Sequence, residues 1–248
     1  MINLLTVSVV VFSFILFLFG CGKSQKIRYD TNLSYTITKT GEPPVVDGVL
    51  NESCWKNAPV GAFRLNKNGA EPEKMTAVRL AYDSTYLFIG FECRDPDAAS
   101  TVTGRDSPVT DGECVSAYID ANSDSCTYVV FDVAPTGAVS DAFVLCRDDG
   151  AETKILGCWN CERLRASVAV YGGGAQPGTE DRFWTVEMAV PFNEFFTASH
   201  LPPRSGDVWR ANFYRMELTG TREFSALAPT GVDTFHKPSR FTWLVFRE

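Results

Sequence analysis

The chain has 248 residues, with 23 Lys and Arg against 30 Asp and Glu, a net charge of −7 and an isoelectric point near 5.0. An acidic chain without a basic run argues against nucleic acid as a partner and against electrostatic capture by anionic lipid. Two histidines, His200 and His236, give poor support to a Ser-His-Asp triad or a histidine metal cage.

Leu4 to Phe19 is almost wholly apolar, broken by Thr6, Ser8 and Ser13, and runs into Leu18-Phe19-Gly20-Cys21. This reads as a lipobox, with residues 1–20 as signal peptide, cleavage before Cys21 and a lipid on its thiol. No Lys or Arg precedes the run, and Phe19 is bulky where a small residue is common. The alternative is an uncleaved anchor, for which the run is short. Either reading places the rest of the chain outside the cytoplasm, in a bacterial cell envelope and tethered to a membrane. The tether spans 21–33 and begins Gly22-Lys23-Ser24-Gln25-Lys26. Gly22, rather than Asp, is compatible with a Gram-negative outer membrane.

Residues 34–248 are of single-domain length for a β fold. Period-two alternation predicts strands near 34–39, 77–82, 86–92, 114–119, 127–133, 138–145, 166–171, 183–190, 208–217 and 241–246. Asp83-Ser84-Thr85 predicts a tight hairpin, and Gly172-Gly173-Gly174 with Pro177-Gly178 another turn. Helix signals are confined to one or two turns at 51–58, with Asn51 as cap, and to 192–198 after Pro191. Many short strands with few helices predict an all-β fold, an antiparallel β-sandwich.

One ordered set of segments stands out. It begins with Asp47-Gly48-Val49-Leu50-Asn51-Glu52-Ser53-Cys54-Trp55 and continues with the strand pair 78–83 and 86–91. Trp184 to Pro191, Trp209 to Arg215 and His236-Lys237-Pro238-Ser239-Arg240-Phe241 follow. In this order and spacing, from about Tyr35 to Phe246, the chain resembles the family 9 carbohydrate-binding modules. The resemblance implies a jelly-roll-like sandwich and poly- or oligosaccharide as the partner. It also implies a site in which two tryptophans clamp a terminal sugar while Glu, Arg and Asn hold its hydroxyls.

The clamp positions have changed. Thr110 stands where one Trp belongs, Ser116 where the Glu belongs, Asp132 where the Arg belongs, and Phe235 where the second Trp belongs. Charge-assisted hydrogen bonds are worth about 1.5–3 kcal/mol each, so the tight terminal-sugar mode is not expected. A rearranged sugar site remains open, with Phe235 and Trp159 as stacking faces and Arg105, Asp111 and Glu113 as hydroxyl partners. The alternative is a structural or protein-interaction sandwich that has lost its sugar site.

Three further features bear on chemistry. Asp120, Asn122 and Asp124 place oxygens at alternate positions, which suits calcium, known in the family; a polar hairpin turn gives the same letters. Cys158-Trp159-Asn160-Cys161 has no second pair at zinc spacing, so a disulfide or buried thiols are expected there. Beyond Cys21 seven cysteines remain, an odd number, and one or two disulfides or small core thiols are equally open. Haem ligation is disfavoured, with Met75, Met188, Met216 and the two histidines as the only axial candidates. No acid pair has the context that glycoside hydrolysis needs, so no enzymatic activity is expected.

Overall fold

The computed structural model describes residues 33–147, 152–173, 180 and 182–248. The proposed signal peptide, Cys21 and most of the tether lie outside the described residues, as does part of the Gly172 to Gly178 turn. Among the described residues no helix is long and apolar enough to cross a membrane.

Fourteen strands follow one another: β1 (Ser34–Lys39), β2 (Gly61–Ala62), β3 (Arg64–Leu65), β4 (Thr76–Tyr82), β5 (Tyr86–Arg94), β6 (Cys114–Asp120) and β7 (Thr127–Val133). They continue with β8 (Val139–Cys146), β9 (Thr153–Leu156), β10 (Arg165–Tyr171), β11 (Phe183–Pro191), β12 (Val208–Glu217), β13 (Glu223–Ala226) and β14 (Thr242–Arg247). The one α-helix among the described residues, α1 (Ser53–Asn57), sits between β1 and β2. All ten predicted strands are present within one or two residues. The four that alternation missed, β2, β3, β9 and β13, have two to four residues each, too few for a period to register. The helical signals give less than expected. Glu52 rather than Asn51 caps α1, without a side-chain bond, and 192–198 yields only the 3-10 turn Phe192–Glu194.

Eleven of the strands form one hydrogen-bonded path, β10-β11-β5-β4-β1-β14-β12-β6-β7-β8-β9, while β13 pairs with β12 and β3, and β2 with β4. The path folds into two layers. Phe91 of β5 meets Phe213 of β12 with ring centroids 6.0 Å apart, and Tyr82 of β4 meets Phe246 of β14 at 5.1 Å. The fold is thus an all-β sandwich whose layers join through β1. That strand runs parallel to β14 over five residue pairs and parallel to β4 over two, whereas the other ladders are antiparallel. The hairpin at Asp83 forms as expected: its Oδ1 accepts from the Thr85 amide at 2.6 Å and the Tyr86 amide at 2.7 Å.

Alternation sorts each strand between core and surface. Leu80, Ile89, Phe91, Val186, Met188, Phe213 and Leu244 point inward and are buried. Removing one such side chain from water contributes about 1.5–3 kcal/mol. The segment from Asp47 to Trp55 is fixed to this core by Glu187 on β11. Its carboxylate accepts from the Trp55 indole at 2.7 Å, the Gly48 amide at 2.8 Å and the Asp47 amide at 2.9 Å. Gly48 has φ +92°, and a Cβ there would lie 2.7 Å from the Val168 carbonyl carbon. Both facts require glycine. Gly90 has a different reason: Leu50 and Trp55 lie directly over it.

One charge is buried between the layers. Arg215 of β12 is 1 % exposed and contacts three carboxylates, Asp95 at 2.5 Å and Glu113 and Glu217 at 2.7 Å. Lys74 adds contacts to Asp95 at 3.1 Å and Glu217 at 3.0 Å. Burial, together with the neighbouring Asp95, pushes the Glu113 carboxyl up to about 9, so it holds a proton at neutral pH. Three acids against two cations thereby come close to neutral.

Candidate functional site

The face of the second layer turned away from the core is built from the other half of the same alternation. Ser116 pairs with Asp132 and Tyr118 with Val130 across β6 and β7; Asp132 pairs with Ser140 and Val130 with Ala142 across β7 and β8. These residues therefore share one side of the sheet. The loop before the 3-10 turn Pro238–Arg240 lays Phe235 and His236 against this face, and the 3-10 turn Val109–Asp111 brings Thr110 to its edge. Together they enclose a cleft of about 400 Å³.

The cleft has an aromatic side and a polar side. On the aromatic side, Phe235 stacks on Tyr214 with centroids 4.1 Å apart at 19°, and Tyr118 stacks on Tyr128 at 5.6 Å. The His236 ring lies 5.3 Å from Tyr118, and its Nδ1 is 2.6 Å from the Tyr128 hydroxyl. Burial holds His236 below the usual histidine range, so it is neutral at pH 7. On the polar side, Ser140 donates to Asp132 Oδ2 at 3.4 Å. Asp132 Oδ1 and Ser116 Oγ are buried and have no partner at full hydrogen-bonding distance, although the Ser116 hydroxyl lies close enough to favour ionised Asp132. Burial and the charge of nearby Asp141 raise Asp132 to about 6, against the Ser116 and Ser140 hydroxyls. Buried polar atoms are normally satisfied, and of these two residues Asp132 is the one that lines the cleft.

Of the side chains predicted to hold sugar, Phe235 alone lines this cleft. Trp159 is half-buried on the opposite side of the sheet, 6.1 Å from Phe131 of the main core, and acts as a core plug. Glu113 is 1 % exposed and committed to Arg215 and the Ala99 amide, out of reach of any ligand. Arg105 pairs with Asp141 and Asp106 at the rim, and Asp111 is exposed in its turn beside Thr110. By contrast, three of the four positions read as lost contacts, Thr110, Asp132 and Phe235, do surround the cleft. The fourth, Ser116, pairs with Asp132 in the floor. Tyr118 and Ser140 were not singled out in the sequence, and His236 was not among the residues expected to hold sugar. Carrying the alternation of β6 to β8 onto one face would have found the first two.

The calcium reading does not fit the turn that the structure forms. Asp120 accepts from the Ser125 amide at 2.9 Å and the Asp124 amide at 3.3 Å. Asp124 accepts from the Cys126 and Thr127 amides at 2.7 Å, the Thr127 hydroxyl at 2.8 Å and Asn122 Nδ2 at 2.9 Å. The oxygens are used by the chain itself, as in a polar hairpin. The other acidic group, Asp95, Glu113 and Glu217, already surrounds Arg215 and Lys74, which supply its positive charge. Cys54, Cys93, Cys114, Cys146, Cys158 and Cys161 are free thiols, so the C-x-x-C segment forms no disulfide. Cys161 is buried and pushed up to about 12 by that burial, the behaviour of a small core residue.

No family model matches the chain, and no curated protein matches it. Solved structures do. One, from Bacteroides uniformis and provisionally described as carbohydrate-binding, superposes with a TM-score of 0.71 at 17 % identity, covering 87 % of this chain and all of that one. A family 9 carbohydrate-binding module from Caldicellulosiruptor kristjanssonii, in complex with cellotriose, gives 0.55 at 15 % identity over 86 % of this chain and 93 % of that one. The same module with glucose gives 0.54 at 15 % over 86 % and 95 %. The fold of this chain is the fold of these proteins.

Proposed function

We propose that the chain is a non-catalytic carbohydrate-binding module of a bacterial cell envelope. In this reading residues 1–20 direct export, Cys21 carries a lipid, residues 21–33 form the tether and residues 34–248 hold poly- or oligosaccharide beside the glycoside hydrolases that degrade it. The observation that carries the binding role is the cleft. It sets the rings of Tyr118 and Phe235 beside the largely buried carboxylate of Asp132 and the Ser140 hydroxyl. Rings accept the C–H face of a pyranose, and polar atoms bond its hydroxyls. The shared fold with modules solved in complex with cellotriose and glucose supports the same reading.

Two expected results test it. Oligosaccharide binding at millimolar concentration or tighter, followed by calorimetry, should weaken about tenfold in Phe235→Ala, the effect of losing one aromatic contact of about 1–1.5 kcal/mol. A glycan panel that produces neither heat nor a shift in melting temperature would reject the sugar reading. Radiolabelled palmitate should enter the chain in growing cells and fail to enter Cys21→Ala; label that persists in the variant would reject the lipid anchor.

A further inference from the structure

The cleft, if it is the sugar site argued above, has an uneven charge. Asp106, Asp132 and Asp141 line it, and among the described residues no Lys or Arg does. Arg105, the nearest cation to these acids, is engaged by Asp141 and Asp106. Asp132 is only 7 % exposed; two serine hydroxyls, Ser140 on Oδ2 and Ser116 nearby, are its neutral partners, and its Oδ1 has none at full hydrogen-bonding distance. A carboxylate removed from water with neutral partners alone is costly, and a positively charged donor is the partner that relieves it most. The rings of Tyr118 and Phe235 stand on the same cleft, and aromatic faces attract cations. A carboxylated sugar would meet like charge there.

We propose that the cleft selects sugars that carry a positive charge, hexosamines with a free amino group held as the ammonium ion, over neutral and acidic sugars. The ammonium group bonds Asp132, while the ring lies on the aromatic side. The groups around Asp132 are Cys114 and Tyr118 from β6, Asp141 from β8, Asp106 and His236 from the loops, and Met216 from β12. Of these, burial keeps the thiol and phenol protonated and His236 neutral near pH 7. Asp132 itself, raised to about 6, changes charge between weakly acidic and neutral solution. The sign follows: ammonium binding strengthens as pH rises through that range and Asp132 ionises.

The experiment uses the full chain in mild detergent and three β-1,4-linked trisaccharides that differ at C2: glucosamine, N-acetylglucosamine and glucose. Calorimetry near pH 7 is expected to show the glucosamine trimer bound tenfold or more tightly than the other two. That preference should shrink at about pH 5 and in Asp132→Asn. Asp132→Asn removes an incompletely paired buried charge without changing shape, so its melting temperature is expected at or above that of the wild type. The pH comparison on wild-type protein needs no variant. If cellotriose or the acetylated trimer binds as tightly as glucosamine, charge selection is wrong and the sugar site stands. A preference that survives both low pH and Asp132→Asn overturns the assignment to Asp132. If none of the three binds, both this proposal and the sugar reading fall.

Discussion

Arg215→Met is expected to cost about 3–5 kcal/mol of folding stability, the range found when one partner is removed from a buried ion cluster. The guanidinium touches Asp95, Glu113 and Glu217 and also donates to the Arg94 carbonyl at 3.0 Å. With it gone, Lys74 alone faces ionised Asp95 and Glu217 beside the protonated Glu113. Arg215→Lys should recover only part of the loss, because a single ammonium cannot reach three acids and a carbonyl from one rigid plane. Urea denaturation measures both; a loss under about 1 kcal/mol for Met would show that the cluster contributes no net stability. The same cluster sets a pH slope. Glu113 titrates near 4.5 when unfolded and near 9 when folded, so the folded state holds the extra proton between those values. Its contribution is complete below the lower value and is lost as pH rises towards the upper one. Asp132 and Asp120, both raised to about 6, act in the same direction at the acidic end. The unfolding midpoint is therefore expected to fall from about pH 5 to about pH 9, and a flat or rising profile would contradict the assignment.

Glu187→Ala is the second large effect, again expected at about 3–5 kcal/mol, because it strands two buried donors and a part-buried one at once. Those donors are the Trp55 indole and the amides of Asp47 and Gly48. Gly48→Ala attacks the same attachment from the other side, through a positive φ and a Cβ 2.8 Å from the Ala169 amide nitrogen. A β-carbon at such a site costs at least about 1 kcal/mol from the dihedral alone. Because both changes release one segment, the double variant should lose less than the sum of the singles. Strict additivity in thermal unfolding would mean that the segment and Glu187 are not one unit.

These residues show what a sequence discloses and what it withholds. The landmarks from Asp47 to Trp55, with Trp184, Glu187 and Arg215, were legible because each answers to a strong local constraint. Gly48 needs a dihedral angle that other residues resist, and Glu187 must satisfy three donors. They specify the sandwich, and the strands followed from alternation with small errors at their ends. The cleft was harder to see. Its members come from β6, β7, β8, β9 and β12 and from the loops between strands, so no spacing in the chain brings them together. Thr110, Ser116, Asp132 and Phe235 looked like erosion when compared one by one with another site's residues. In three dimensions they lie on or beneath one surface with different chemistry. Glu113 misled in the opposite sense: an acid beside a loop in the sequence turns inward, because Arg215 lies across the register from β6. Trp159 followed its bulk into the core rather than its flat face onto a ligand.

The way β1 is inserted has a mechanical consequence. Any load reaching the domain through the residues before Leu33 enters at this strand and runs along its axis. There β1 is flanked on both sides by parallel neighbours, five pairs with β14 and two with β4. A pull in that direction shears the ladders, so several bonds must yield together instead of opening one after another from an end. The resistance is a matter of unfolding rate rather than of equilibrium stability. Were the domain to grip an insoluble polymer while its N-terminal end was held fast, as proposed above, the strain would fall along this line.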